Sequence, residues 1–147
     1  MSAMNFVLLR AGALRLLVPQ ADVGAAEYLE ARPEHSEVPG LLRSPDPQDT
    51  RTYAALSEGM TLLAECPPER FIACELAGGA KKLVWCWDEV RVLIGVDLQP
   101  IPVPQSMLAV DPPVAHYVEL EGAPAFVCSA DELARCALGH LETCHAA

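Results

Sequence analysis

The sequence has almost no lysine. Its two lysines, Lys81 and Lys82, are adjacent, and the formal net charge is −10. A protein that binds a phosphate backbone needs a stripe of basic side chains, so we expect no nucleic-acid partner. We expect the acidity to keep the surface solvated; the alternative is a field that attracts a basic partner.

Long apolar runs and targeting signals are also absent. No apolar run reaches the roughly 18 residues that a membrane helix requires, so we expect no membrane insertion. Residues 1–10 lack the basic start, apolar region and cleavage site of a signal peptide. Hydrophobic residues make up 52% of the 147 residues, which argues against disorder. We expect one cytoplasmic domain.

Motifs for nucleotides and metals are missing as well. Gly78-Gly79 lacks the Lys-Ser/Thr and the helix that follow a phosphate-binding loop. The six cysteines contain no Cys-x-x-Cys pair, and in a cytoplasmic chain we expect reduced thiols. Cys74, Cys86 and Cys128 lie in apolar strand-like runs, where a free cysteine behaves as a small buried hydrophobe. We therefore expect no cofactor.

The C-terminal segment carries the strongest pattern for metal or redox chemistry. Cys136, His140 and Cys144 share one face of a predicted helix, and His145 follows them. One helix face cannot wrap these three ligands around a single zinc ion, because eight residues span about 12 Å of helix axis. We expect no metal here. A metal- or redox-active Cys/His protein using this helix remains the alternative function, and an enzyme with a thiol nucleophile is a third.

Short strand-like segments dominate residues 71–128. Apolar and β-branched residues recur there too densely for a long helix, and Ser129 with Glu132 forms a capping box that begins one. Near the N-terminus, residues 6–9 and 14–18 flank Gly12, which predicts a hairpin whose turn uses the backbone freedom of glycine. These patterns predict an all-β domain with one C-terminal helix.

Three further segments carry residue patterns that predict local structure. Leu83, Trp85 and Trp87 share one strand face; we expect a core face, and the alternative is an exposed recognition patch. Residues 22–26 predict a helical turn before a short strand at residues 28–31. Residues 44–49 are rich in proline and aspartate, which predicts a loop.

The order of these elements resembles the CheW-like domain, the adaptor module of bacterial chemotaxis arrays. The matching segments are residues 6–12 with Val18-Pro19, Val38-Pro39-Gly40-Leu41-Leu42, Trp87-Asp88-Glu89-Val90, Ile101-Pro102-Val103-Pro104, residues 114–122 and Ala130-Asp131-Glu132-Leu133. The resemblance implies a mostly β fold: two packed SH3-like five-stranded β-barrels with short helices and a C-terminal helix. Residues 1–147 would form a single CheW-like domain, with a proximal barrel at roughly 20–69 and a distal barrel from 1–19 plus 70–147.

The resemblance also implies a function without catalysis. The protein would be an adaptor in a chemotaxis or type IV pilus signalling system, docking on the regulatory domain of a CheA-like histidine kinase through barrel edges and loops. The expected partner-binding residues are Leu41, Leu42, Arg43, Arg51, Tyr53 and Leu56.

Binding to a chemoreceptor, the family's other partner, is doubtful. The family continues from its Val-Pro-Gly segment to an Asn-Leu-Arg-Gly turn, whose arginine is associated with receptor contact, and then to a Pro-Val-x-Asp-Leu strand. Here Arg43 comes two positions early without the glycine, and residues 52–56 lack the proline and the aspartate. We expect receptor binding to be weak or absent.

Overall fold

The computed structural model describes residues 4–59, 61–76, 83–96, 101–102 and 116–135. A short 3-10 helix, Gln20–Asp22, follows the first hairpin, and helix α1 includes residues 130–135. The strands of the described residues are β1 (Met4–Ala11), β2 (Leu14–Pro19), β3 (Val23–Tyr28), β4 (Glu34–His35), β5 (Leu42–Arg43), β6 (Thr52–Ala55), β7 (Ile72–Leu76), β8 (Leu83–Trp87), β9 (Glu89–Val96), β10 (Ile101–Pro102), β11 (His116–Leu120) and β12 (Ala123–Val127). The predicted mostly β fold is confirmed.

The strands form two six-stranded sheets. Sheet A has the order β10-β11-β12-β2-β1-β9, and sheet B has the order β3-β7-β8-β6-β5-β4. Most neighbours are antiparallel, but β12 pairs with β2 and β6 pairs with β8 in parallel. Among the described residues neither sheet closes into a barrel. The predicted division of the chain between two barrels stays a prediction; β7 and β8 lie in sheet B.

β1 and β2 form the predicted hairpin. Their register runs from Phe6 opposite Pro19 to Ala11 opposite Leu14. Gly12 in the turn has a φ of 61°, a conformation that glycine adopts without steric cost. A side chain at this position would also overlap the carboxylate of Glu58. The positive φ is the reason that the turn favours glycine, since the exposed Glu58 side chain could move aside.

One apolar cluster fills the space between the sheets. Its members come from both sheets and from the start of α1: Val7, Leu9, Ala11, Leu14, Leu16, Val18, Leu41, Ala54, Leu56, Cys74, Leu76, Leu83, Trp85, Trp87, Cys128, Ala130 and Leu133. We call this the inter-sheet core. The Trp85 and Trp87 rings stack within it, with centroids 6.3 Å apart. The core interpretation of the Leu83, Trp85 and Trp87 face is confirmed.

Two smaller clusters lie on the opposite faces of the sheets, since alternate residues of a strand point to opposite sides. The outer cluster of sheet B contains Leu42, Tyr53, Ala55, Cys66, Ala73, Val84 and Cys86. The outer cluster of sheet A contains Phe6, Leu8, Leu17, Val118 and Ala125. Both sheets are thus covered by apolar side chains on two faces.

The region after the first hairpin differs from its prediction. The helical turn expected at residues 22–26 and the strand expected at residues 28–31 are wrong, because β3 occupies Val23–Tyr28 and the 3-10 helix ends at Asp22. β3 is aligned by β7, with Tyr28 opposite Ile72. That partner lies far away in the sequence, so the local pattern could not reveal the register.

The predicted capping box begins α1. Ser129 Oγ accepts the Glu132 N–H at 3.1 Å, and the Glu132 carboxylate accepts the Ser129 N–H at 3.4 Å. The Ala130 N–H donates to Asp22 Oδ2 at 3.1 Å. The start of α1 is therefore fixed both by its own cap and by the 3-10 helix.

Several predictions fall on parts of the chain outside the described residues. These are Gly78-Gly79, Val103-Pro104, and the Cys136, His140, Cys144 and His145 group. Within the described ranges, no set of three or more Cys, His, Asp or Glu side chains is placed to hold a metal ion. No helix in the same ranges is long and apolar enough to cross a membrane.

A buried ion pair joins the β1–β2 turn to sheet B. Asp88, between β8 and β9, has its Oδ2 3.4 Å from Arg70 Nε and accepts the Gly12 N–H at 2.6 Å. Arg70 also donates to the Leu56 carbonyl, and the Asp88 N–H donates to the Arg10 carbonyl at 2.9 Å. The Arg70 and Asp88 side chains are only 5% and 8% exposed. Since a buried charge requires a partner, this pair links four segments.

Replacing Trp85 with alanine is expected to lower the free energy of unfolding by about 3–5 kcal/mol, because it leaves a cavity in the inter-sheet core. The matched control is Ile94→Ala, at a side chain that is 76% exposed, where we expect a change within about 0.5 kcal/mol. Urea unfolding followed by circular dichroism measures both. A Trp85→Ala protein as stable as the wild type would contradict the core assignment.

The Arg70–Asp88 pair is tested by a double-mutant cycle. Arg70→Met should cost about 3–5 kcal/mol, because it leaves the Asp88 carboxylate buried and unpaired. The double variant Arg70→Met/Asp88→Asn removes both charges and should lose less than the sum of the two single losses. Free energies of unfolding in urea give the cycle, and strictly additive losses would show that the two side chains do not interact.

Candidate docking site

β3 lies at an edge of sheet B and is open to solvent. Every residue of the strand after Val23 is exposed, and among the described residues β3 pairs only with β7. An edge strand presents unpaired backbone N–H and C=O groups on its free side. β3 can therefore accept a further strand from another molecule.

Two stacked aromatic side chains stand at the end of this edge. The rings of Tyr28 and Phe71 have centroids 6.3 Å apart and an interplanar angle of 19°, and the two residues are 76% and 49% exposed. The Leu29 N–H donates to the Phe71 carbonyl at 2.7 Å, which fixes the two segments side by side. Aromatic residues are enriched where proteins meet. We call β3 with Tyr28 and Phe71 the β3 surface.

A groove of about 480 Å³ opens beside Tyr28. It runs between the end of β3 and the 44–51 loop, and Glu27, Asp49, Arg51 and Tyr53 line it. Three of these four carry charge. The groove therefore continues the β3 surface with polar groups.

Arg51 ties the loop to β3. Its Nη1 lies 2.7 Å from Glu27 Oε1 on β3, and its Nε and Nη2 each lie 3.0 Å from an Asp49 oxygen. The guanidinium also sits over the Tyr53 ring, 5.4 Å from the centroid, and the Tyr53 hydroxyl donates to Asp49. Two-point contact with a carboxylate suits the planar guanidinium fork. The loop is thus held by charge-assisted bonds.

These contacts fix the protonation states of the three groups. The hydrogen bonds from Arg51 and Tyr53 hold the pKa of the Asp49 carboxyl well below its usual range. The hydrogen bond to Asp49 raises the pKa of Arg51, and burial, with the Asp49 hydrogen bond, raises that of Tyr53. Asp49 stays anionic, Arg51 cationic and Tyr53 neutral throughout the physiological pH range.

The same loop lines a second groove of about 810 Å³. Four of the six residues expected to bind a partner meet there: Leu41, Leu42, Arg43 and Arg51. Tyr53 lines the smaller groove, and Leu56 lines neither of the two. Arg43 is exposed and pairs with Glu34, whose Oε1 lies 3.2 Å from its Nε.

The four apolar and aromatic members of that predicted set are buried. Leu41 and Leu56 belong to the inter-sheet core, while Leu42 and Tyr53 belong to the outer cluster of sheet B. Their side chains are buried and do not form an exposed patch. A role for the six residues in partner binding stays a prediction, and the exposed aromatic pair at Tyr28 and Phe71 was not among them.

The described cysteines are free and buried: Cys66, Cys74, Cys86 and Cys128. The expectation that Cys74, Cys86 and Cys128 pack as buried side chains is confirmed. Burial raises the pKa of Cys74 to about 11 and that of Cys128 to about 12. Both therefore remain thiols at neutral pH.

Asp49→Asn is expected to destabilise the protein by about 1 kcal/mol at pH 7, since Arg51 remains partly exposed and the pair is screened by solvent. Because the pKa of Asp49 is lowered by folding, its contribution is full above the unfolded pKa of about 3.9 and is lost as the pH falls below it. The stability difference between wild type and variant should therefore shrink between pH 5 and pH 2 on that argument.

Urea unfolding at several pH values measures this difference. The matched control is Asp46→Asn in the same loop, whose carboxylate accepts the backbone N–H of Gln48 at 3.0 Å. It should lack the effect. A gap between wild type and Asp49→Asn that grows on acidification would contradict the assignment.

Comparisons with known proteins identify the fold. No protein-family model matches the sequence, and no curated protein matches it. Among solved structures, the chain is similar to the crystal structure of the scaffolding protein TtCheW from Thermoanaerobacter tengcongensis. The TM-score is 0.57 at 13% identity, over 89% of this chain and 92% of that chain. The likeness at this identity is one of fold, and the predicted CheW-like fold is confirmed.

Proposed function

We propose that this protein is a non-enzymatic adaptor of a bacterial chemotaxis-type signalling system, docking on the regulatory domain of a CheA-like histidine kinase. The observation that carries the proposal is the CheW-like fold over 89% of the chain, shared with a scaffolding protein. An adaptor needs a surface and no reactive group, and about 800 Å² per partner suffices for a specific complex. Both partners would meet in the cytoplasm.

The β3 surface is the docking site that we assign to the kinase. Its free strand edge offers backbone hydrogen bonds to an edge strand of the kinase barrel. Tyr28 and Phe71 supply the large apolar contacts that typically carry most of the binding energy of an interface. Arg51 supports the surface from the side by fixing the loop against Glu27 on β3.

Receptor binding, by contrast, should be weak. Neither arginine near the expected receptor turn is available as a free cation: Arg43 pairs with Glu34, and Arg51 pairs with Asp49 and Glu27. A receptor carboxylate would have to displace these internal partners. The protein would then occupy kinase sites without bridging them to receptors.

Titration against the isolated regulatory domain of a chemotaxis-type kinase from the same genome tests the proposal. Wild type should bind, and Tyr28→Ala and Phe71→Ala should each weaken the Kd by at least about tenfold, equivalent to about 1.4 kcal/mol. Ile94→Ala is the matched control, because Ile94 is as exposed as Tyr28 but lies on sheet A. No binding by wild type would overturn the function, whereas binding that both aromatic variants retain would overturn only the assigned surface.

A second titration uses the signalling fragment of a chemoreceptor. We expect a Kd at least about tenfold weaker than for the kinase domain, since one missing charge-assisted contact costs about 1.5–3 kcal/mol. Arg43→Ala and Arg51→Ala should leave this weak binding unchanged. Tight receptor binding that survives both substitutions would contradict the proposed preference for the kinase domain over the receptor.

A further inference from the structure

The groove beside Tyr28 carries an excess of negative charge. Of the described residues that line it, four have carboxylates and one, Arg51, has a guanidinium. The carboxylates belong to Glu27, Glu30, Asp46 and Asp49. Arg51 is already bound to two of these four, Glu27 and Asp49. The groove therefore has carboxylates to spare and no free cation of its own among its described lining residues.

One arginine site in this groove is complete. The Arg51 guanidinium lies over the Tyr53 ring, 5.4 Å from its centroid, and its Nε and Nη2 each bind an Asp49 oxygen at 3.0 Å. An aromatic ring and a carboxylate together suit a guanidinium, because the ring face attracts the cation and the carboxylate accepts its N–H groups. This pair of groups holds the arginine of the chain itself.

A second pair of the same groups holds no arginine. Tyr28 and Glu30 line the same groove, while Arg32, close to them in sequence, does not line it. Glu30 takes part in no ion pair with any other described residue. Tyr28 is 76% exposed even though its ring stacks on that of Phe71, so much of the ring is open to solvent. The second pair is thus open to a guanidinium from another molecule.

The strand that leads to Tyr28 has room for a partner. Gly24, Ala25 and Ala26 carry no side chain larger than a methyl group, and all three are exposed. β3 lies at the edge of sheet B, so an added strand can form backbone hydrogen bonds along it. Cross-strand neighbours on one face lie only about 5 Å apart, so small side chains on β3 leave space for long ones on the added strand.

The charge around this edge favours a cationic partner. The chain has a formal net charge of −10. Glu75 on β7 and Glu69 shortly before it are exposed, and neither forms an ion pair within the described part of the chain. A negative field attracts a cationic segment and disfavours an acidic one. Charge complementarity therefore selects a basic strand.

We infer that the strand which docks on the β3 surface carries an arginine, whose guanidinium stacks on the Tyr28 ring and binds the Glu30 carboxylate. The chemistry of this occupant follows from the two open groups, whereas its place in a kinase regulatory domain rests on the proposed function. Arginine is favoured over lysine, because a planar guanidinium stacks on a ring and offers several N–H groups in one plane, while an ammonium is a compact and strongly hydrated charge.

Synthetic peptides test the site without the kinase. The probe is the acetylated and amidated peptide Thr-Val-Thr-Arg-Thr-Val-Thr, titrated into isotopically labelled protein and followed by NMR. We expect the amide signals of β3 and Glu30 to shift. The Kd should be about tenfold tighter than for the same peptide with citrulline, a neutral isostere of arginine. A lysine in the same position should bind more weakly than the arginine.

Variants of the protein separate this site from general attraction between opposite charges. Glu30→Gln should lower the preference for arginine over citrulline by about threefold or more. The matched control, Glu119→Gln, removes an exposed carboxylate on sheet A and should leave the preference unchanged. Tyr28→Phe should retain the preference, whereas Tyr28→Leu should reduce it, because leucine keeps the apolar bulk without the ring. Circular dichroism melting shows that each variant is folded.

The arginine site is overturned if the arginine and citrulline peptides bind equally well, if neither binds at millimolar concentration, or if the shifts lie away from β3. Titration of Glu30→Gln against the kinase regulatory domain separates this result from the function. If wild type and Glu30→Gln bind that domain equally well, the arginine of the docking strand is wrong and the adaptor function stands. If the peptides behave as expected and the kinase domain does not bind, the function is wrong and the arginine site stands.

Discussion

The Asp88 carboxylate is the point on which the arrangement of the two sheets depends. It accepts the N–H of Gly12 from the first hairpin of sheet A and pairs with Arg70, two residues before β7 of sheet B. A buried carboxylate left without these partners would cost several kcal/mol. The apolar inter-sheet core brings the sheets together without fixing their orientation, since burial is not directional, and this ion pair adds a directional contact between them.

The proposed docking surface is also held in place by contacts that reach the core. Tyr53 is buried in sheet B, and its hydroxyl fixes Asp49, which in turn holds Arg51 against Glu27 on β3. The exposed β3 edge is thus connected to the core through a chain of hydrogen-bonded polar groups. Tyr53, which the sequence predicts as a partner contact, is instead buried and holds Asp49 through its hydroxyl.

Local signals in the sequence predicted the local features of the fold. The turn at Gly12, the cap at Ser129 and Glu132, and the alternating core face of β8 each depend on a few neighbouring residues, and each is confirmed. The position of β3, the burial of Tyr53 and Leu56, and the Tyr28–Phe71 pair all depend on pairing between distant segments. No pattern of neighbouring residues records that pairing, so these features of the site appeared only in the structure.

The parallel pairing of β12 with β2 has a consequence for the order in which the molecule is assembled. Phe126 lies beside Leu16, and Val127 lies beside Leu17, so the second strand of the protein acquires this neighbour only after more than a hundred further residues have been added. During synthesis the first hairpin therefore emerges with both outer edges unsatisfied. Such long-range closure slows folding and leaves the apolar strands of this hairpin open to misassociation until the later strands are made.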